Sequence, residues 1–258
     1  MKQIESVSNP QVKRWRSLTA KKARDLYGEY LIEGEKLVKE AVASGAPIKA
    51  LLVTPESAGR YAALCAEYET YVLPRRVFDA VCDVKTPQGI AAVAAVEPEL
   101  PPKDLPQNGL IVILDAVQDP GNVGTIIRSA DAAGAEAVLL GMGCADAYAP
   151  KVVRAAMGST FHLSIYGGIA LPEALDALKE RGFFLLAAHL KGEERLPHIP
   201  QRCAVLIGNE SSGLGEESTG RCDALYRLPV YGRAESLNAA VAAGIVLYDV
   251  ARALHAEK

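Results

Sequence analysis

The sequence predicts an α/β protein in two parts, the second built on a mostly parallel sheet, and three observations predict it. Short apolar runs alternate with helical patterns along most of the chain. From Glu97 to Gly109 the tract EPELPPKDLPQNG holds Pro98, Pro101, Pro102 and Pro106 without apolar periodicity, the composition of a stiff connector. Beyond it the strands read as continuous apolar runs, the pattern of segments buried on both faces of a sheet. The expected division is residues 1–96, a connector over 97–109, and residues 110–258.

Taken in order, the first part predicts strands at Ile48 to Val53, Thr70 to Leu73 and Ile90 to Val96. Helical patterns fall at Glu35 to Ala43, Glu56 to Tyr68 and Arg76 to Cys82, which makes a small α/β unit of about a hundred residues, a common domain size. The second part predicts strands at Leu110 to Leu114, Ala137 to Leu140, Phe161 to Tyr166, Phe183 to His189, Ala204 to Ile207 and Tyr226 to Pro229. Helices are expected at Val123 to Ala133, Pro150 to Met157, Pro172 to Arg181 and Leu237 to His255.

With 258 residues, 50% of them hydrophobic and 23% charged, the chain has the composition of a globular protein rather than a disordered one. It contains no apolar run of about 18 residues, and its polar start lacks a secretory h-region, so the expected compartment is the cytoplasm and no membrane partner is expected. Five widely spaced cysteines form no C-x-x-C pair and stand near no histidine at ligand spacing; buried free thiols and no metal are expected.

The net charge of −3 hides a basic cluster between Pro10 and Arg24: Lys13, Arg14, Arg16, Lys21, Lys22 and Arg24, without an acid and with Trp15 among them. Such a cluster fits a solvated helix face, or a nucleic-acid surface on which the aromatic stacks against a base.

Three segments of the second part place Asn, Glu, Ser or Gly where an apolar run stops: Asp119 to Ala135, Leu206 to Gly215 and Leu228 to Gly244. In a parallel sheet such breaks gather at one edge, where ligands bind. They are not dinucleotide or triphosphate loops. The spacing after Gly121 fails G-x-G-x-x-G, Gly141 to Gly143 lacks the third glycine, and no G-K-[ST] occurs.

What the segments do match is a family. Gly121-Asn122-Val123-Gly124 with Arg128, Gly208-Asn209-Glu210 with Gly213-Leu214, and Leu228-Pro229 with Ser236-Leu237-Asn238 resemble the three motifs of the SpoU-type, or TrmH-like, RNA ribose 2′-O-methyltransferases. The likeness runs from Gly109 to the C-terminus. The segments SNPQVKRWRSLTAKKAR and YLIEGEKLVKEAV resemble the substrate-binding domain, related to small ribosomal RNA-binding proteins, that precedes the catalytic domain in many members. Where the family often reads R-A-S-A-G, this chain has Arg154-Ala155-Ala156-Met157-Gly158, with a bulkier Met157.

The resemblance implies a deep trefoil knot, in which the chain after Leu206 passes through a loop of itself. It also implies S-adenosylmethionine held against Gly208, Leu228 and Leu237, although without the motif context the two leucines read as ordinary core. It implies a catalytic set of Asn122, Arg128, Glu210, Ser236 and Asn238. Arg128 is either a base whose proton an RNA phosphate draws off or a fixed cation that orients that phosphate and stabilises an alkoxide; a guanidinium normally stays protonated, which favours the cation. Glu210 is suited to holding Arg128 or Asn122, and Ser236 to facing substrate or capping the last helix.

The implied partner is structured RNA, ribosomal before transfer RNA, anchored by Lys13 to Arg24; the alternative is an RNA-binding protein of the same fold without turnover. The last helix is apolar nearly all round, at Ala240, Val241, Ile245, Val246, Leu247, Val250 and Leu254, an excess that a homodimer, usual in the family, would use.

Overall fold

A computed structural model describes residues 1–96 and 105–256. The chain forms two compact units, Met1–Pro98 with Tyr148–Phe161, and Glu99–Ala147 with His162–Lys258.

The first unit runs β1 (Lys2–Gln3), α1 (Pro10–Ser17), α2 (Lys21–Tyr27), β2 (Glu29–Glu33), α3 (Glu35–Ala43), β3 (Ile48–Val53), α4 (Pro55–Ala58), α5 (Ala62–Glu67), β4 (Thr70–Val72), α6 (Arg75–Val81) and β5 (Ile90–Ala95). Its sheet has the order β1-β4-β3-β5-β2, with β5 antiparallel to both neighbours. Alternate residues of each strand enter opposite cores. Leu51, Val53, Ile90 and Ala92 face Ile32, Leu37 and Val38, while Leu52, Ala91 and Val93 face Trp15, Leu18 and Phe78. Burial on both sides is why these strands read as unbroken apolar runs. The helix expected over Glu56 to Tyr68 is instead two short ones, separated at Gly59, the first closed by a Thr54–Ser57 capping box. The strand Glu29–Glu33 was not anticipated from periodicity.

The second unit contains β6 (Gly109–Leu114), α7 (Pro120–Ala132), β7 (Ala135–Gly141), then, after α8 (Pro150–Ala156), β8 (Ser164–Ile169), α9 (Leu171–Glu180), β9 (Phe184–Glu193), β10 (Arg202–Ile207), α10 (Glu216–Gly220), β11 (Ala224–Tyr226) and α11 (Ala239–Ala256). The sheet order is β11-β9-β10-β6-β7-β8, with each neighbouring pair parallel. One face, with Ile111, Ile113, Leu139, Leu185 and Leu206, packs on Leu175 and Leu178 of α9. On the other side α11 packs against α7, β9 and β10. Helix α11 is long and apolar enough to span a membrane, and in this unit it packs against α7 and the sheet.

Several boundaries differ from the sequence reading for local reasons. Helix α7 starts at Pro120, not Val123, because the Asp119 carboxylate caps the Asn122 N–H at 2.9 Å and Pro120 suits the first helical position. The strand expected from Phe161 begins at Ser164, after a 3-10 turn over Ser159–Phe161. The strand expected to reach Pro229 ends at Tyr226. Residues 97–104 of the connector lie outside the described residues. Its end is not a free linker: Leu105 is buried in the second unit's core, and its carbonyl accepts from Arg181 Nη1 at 3.1 Å.

The assignment of Tyr148 to Phe161 also differs. The sequence reading places this segment in the second domain, whereas it packs within the first unit. Val153 enters the core of Tyr30, Ile32 and Leu37, and the Tyr148 and Tyr30 rings lie 4.7 Å apart. Arg154 is engaged there by Asp83 at 2.7 Å and Glu33 at 3.9 Å. Met157 ends α8 in the left-handed region at φ 55°.

Candidate active site

The site grows from the parallel pairing of β6 with β10, which brings Leu114 and Ile207 opposite each other and leaves both following loops at one sheet edge. The Asn209 amide donates from Nδ2 to the Ala116 carbonyl at 2.7 Å, where the backbone takes a strained φ of 52°. Its Oδ1 accepts the N–H groups of Ser211 and Ser212 at 2.9 and 3.1 Å. Paired backbone bonds of 3.0 Å between Asn209 and Gly213 close the loop. Gly208 makes this closure possible: a Cβ there would stand 2.3 Å from the Gly213 carbonyl carbon and the Leu214 nitrogen. The close approach that Gly208 permits is thus by the chain's own backbone.

Glu210, carried by that loop, joins the first segment. Its carboxylate accepts the Asn122 side-chain amide at 2.9 Å and the N–H groups of Asp119 and Gln118 at 3.2 and 3.3 Å. Burial is the largest influence on this carboxyl and opposes ionisation, but the bonds from Asn122 and the backbone together hold it below the ordinary range. Asn122 in turn accepts at Oδ1 from Asn238 Nδ2 at 3.1 Å. Asn238 also caps α11, its Oδ1 accepting from Ala240 and Val241 at 2.9 and 3.3 Å. Glu210, Asn122 and Asn238 therefore form one chain of hydrogen bonds across the three segments.

Beside it lies a cavity of about 210 Å³. Ile207, Leu228, Val230, Leu237 and Val246 contribute apolar wall, and His189, Asn209, Glu210, Arg227 and Ser236 polar rim. Leu237 is 38% exposed and Leu228 half-buried, so neither is an ordinary core leucine. Tyr226 is buried in the wall and donates its hydroxyl to Asp249 at 2.9 Å; burial, then the Asp249 carboxylate, push its pKa up to about 12. An apolar slot for an adenine, with polar groups at one rim, fits S-adenosylmethionine. Gly208, Leu228 and Leu237 all line it.

The structure also separates residues that the sequence grouped. Glu210 holds Asn122 and not Arg128; Arg128 is exposed on α7, lines no part of the cavity and makes no ion pair among the described residues. Ser236 lines the cavity, while the cap it was considered for belongs to Asn238. In the first unit Trp15 is 1% exposed, so it cannot stack on a base. Arg24 is 4% exposed and donates to the carbonyls of Leu18 and Thr19, a structural role. Arg14 pairs with Glu29 at 2.6 Å and Lys21 with Asp25 at 2.8 Å. Lys13, Arg16 and Lys22 remain exposed and, among the described residues, unpaired. The exposed aromatic of this face is Tyr27, with the Arg14 guanidinium 4.6 Å from its ring centroid.

The five cysteines are free, and burial raises the thiols of Cys144, Cys203 and Cys222 to about 11, 12 and 12. They are poor nucleophiles. Among the described residues no cluster of His, Cys, Asp and Glu is arranged to hold a metal ion.

Residues 109–248 match the model of the SpoU rRNA Methylase family, and residues 9–92 match an MRM3-like substrate binding domain. The chain is 42% identical to the 23S rRNA (guanosine(2553)-2′-O)-methyltransferase RlmP of Bacillus subtilis, over 97% of this chain and 99% of that one. It is similar to the AdoMet-bound rRNA methyltransferase of Sinorhizobium meliloti, with a TM-score of 0.87 and 35% identity over 97% of each chain. The SpoU methyltransferase AviRb of Streptomyces viridochromogenes, in complex with AdoMet, matches with a TM-score of 0.85 and 28% identity over 95% of this chain and 97% of that one. With its three motif segments hydrogen-bonded around one cavity, this chain belongs to the SpoU rRNA methylase family.

Proposed function

We propose that this protein methylates a ribose 2′-hydroxyl of structured ribosomal RNA, with S-adenosylmethionine as donor. The observation that carries the proposal is the hydrogen-bonded chain Glu210–Asn122–Asn238 beside the cavity of Gly208, Leu228 and Leu237. The cofactor supplies a methyl group on a sulfonium, which leaves as a neutral thioether. What remains for the protein is to place a ribose hydroxyl and to manage one proton and its charge.

Glu210 accepts three hydrogen bonds and is held ionised, with a pKa below the ordinary range, so it acts as a positioning group and not as the base. It fixes Asn122, which with Asn238 holds the rim of the cavity. Arg128, with no partner on its own chain among the described residues, is available to an RNA phosphate. As a guanidinium it stays protonated, and its role is to orient that phosphate and stabilise the forming alkoxide. Lys13, Arg16 and Lys22 anchor the RNA backbone, in keeping with the match of their unit to a substrate binding domain.

Three further features belong to the same proposal. The chain after Leu206 threads a trefoil knot, as the family's fold implies. A homodimer forms through α11, whose Val241, Ile245 and Tyr248 are 52%, 42% and 45% exposed along one stripe. The protein works in the cytoplasm, where five free thiols are stable.

The test is transfer of labelled methyl to ribosomal RNA, with ribose methylation mapped across total RNA in the presence and absence of the protein. Arg128→Ala removes activity and Arg128→Lys keeps part of it; unchanged single-turnover methylation in both variants refutes the role of Arg128. Calorimetry with S-adenosylmethionine discriminates the alternative: no binding favours a non-catalytic RNA-binding protein. Sedimentation at micromolar concentration checks the dimer, and a stable monomer refutes it.

A further inference from the structure

The wall of the cavity formed by β9 has an irregularity that the three motifs do not explain. Leu225 of β11 pairs with Ala187 of β9, but the next residue, Tyr226, pairs with Glu193. Residues 188–192 therefore bulge out without partners on β11. Pairing of β9 with β10 also stops at Ala187, so the bulge stands beyond the common edge of the sheet, where the cavity opens. Bulges re-aim side chains next to functional sites. This one is anchored at Gly192, where a Cβ would lie 2.6 Å from the Leu225 carbonyl carbon and 2.7 Å from the Tyr226 nitrogen.

The bulge brings His189 to the cavity. The His189 ring is oriented from within the bulge: its Nδ1 accepts the Lys191 N–H at 3.1 Å. In the neutral ring that bond leaves the proton on Nε2, which makes Nε2–H a fixed donor. Three other polar side chains that line the cavity direct a donor elsewhere, while the Ser236 hydroxyl, which also lines it, can rotate and is not fixed in direction. Asn209 Nδ2 goes to the Ala116 carbonyl at 2.7 Å, Ser211 Oγ to Asn209 Oδ1 at 3.1 Å, and Arg227 Nη2 to Glu194 at 3.0 Å.

S-adenosylmethionine carries one group that can only accept hydrogen bonds and bears negative charge, its amino-acid carboxylate. Glu210, an acceptor with the same charge, cannot serve it. From this matching of an oriented donor to an acceptor-only group we infer that His189 is a cofactor-binding residue that hydrogen-bonds, through Nε2, the carboxylate of the methyl donor. The inference rests on the methyl-donor reading of the cavity.

The test is calorimetric and independent of turnover. Wild-type protein, His189→Ala and His189→Gln are titrated with S-adenosylhomocysteine, which has the amino-acid tail, and with 5′-methylthioadenosine, which lacks it. The expected result is about a tenfold loss of S-adenosylhomocysteine affinity in His189→Ala, equivalent to about 1.4 kcal/mol. Affinity for 5′-methylthioadenosine stays within twofold, and His189→Gln recovers much of the loss because its amide is also a donor. A parallel loss for both ligands, which a contact to the adenosine or a collapsed bulge would give, overturns the assignment, as does an unchanged affinity for S-adenosylhomocysteine. Failure of the wild-type protein to bind either ligand overturns the methyl-donor reading itself.

Discussion

Replacing Gly208 with alanine isolates the contribution of the loop closure to the site. The added Cβ would stand 2.3 Å from the Gly213 carbonyl carbon and the Leu214 nitrogen, and 2.6 Å from the Gly213 oxygen, where ordinary contact begins at 3.4 Å. All three atoms are backbone, so no rotamer change relieves the clash; the two sides of the loop have to separate by about 1 Å. That separation breaks or stretches the two 3.0 Å bonds between Asn209 and Gly213, each with a net worth of about 0.5–1.5 kcal/mol. Overpacking that cannot relax costs about 1–3 kcal/mol by itself, so the relaxed loop settles about 2 kcal/mol above its native form. Strand β10 ends at Ile207, before the change, and the fold persists. Glu210 moves with the loop and loses its register with Asn122. Isothermal titration with S-adenosylhomocysteine should show a loss of affinity of about thirtyfold, the binding equivalent of that 2 kcal/mol, with far-UV circular dichroism unchanged. An affinity within threefold of wild type would refute the claim that the closed loop forms the binding wall.

Three other perturbations test the remaining assignments. Glu210→Gln keeps the shape but weakens the bonds from Asn122, Asp119 and Gln118. Because the folded carboxyl is held below its ordinary value of 4.5, its ionised form stabilises the protein above that value and the benefit is lost as pH falls through the lower, folded pKa. Thermal melts of the variant and wild type should therefore differ at neutral pH and converge below about pH 4.5; a constant difference would show that the charge does not matter. Alanine at Lys13, Arg16 and Lys22 should weaken RNA binding across sequences and reduce the salt slope by roughly one for each phosphate contact removed. Trp15→Ala, in contrast, should destabilise the first unit by about 3–5 kcal/mol, as loss of a buried aromatic does. Equal salt slopes for the triple variant and wild type would remove these side chains from the RNA surface.

The agreement between sequence and structure is strongest where one residue's surroundings depend on its immediate neighbours. Strands buried on both faces read as continuous apolar runs, so Leu110 to Leu114 and Ala204 to Ile207 were legible, and with them the parallel sheet and the edge where Asn122, Glu210 and Asn238 gather. Boundaries slipped where a single cap decides, as at Asp119 and Asn238. The side chains of the basic cluster were not legible, because charge is local but exposure is not: Trp15 and Arg24 turn inward while Lys13 and Lys22 stay out.

Sequence alone therefore determined the α/β class, the family and the three segments whose Asn122, Glu210 and Asn238 meet at one sheet edge, since apolar periodicity and motif order are written along the chain. Tertiary structure alone decided that Glu210 holds Asn122 rather than Arg128, that Tyr148 to Phe161 packs in the first unit, and that a bulge in β9 brings His189 to the cavity. Each depends on pairing between segments far apart in sequence: Asn122 and Glu210 are 88 residues apart, and only the register of β6 against β10 brings them within a hydrogen bond.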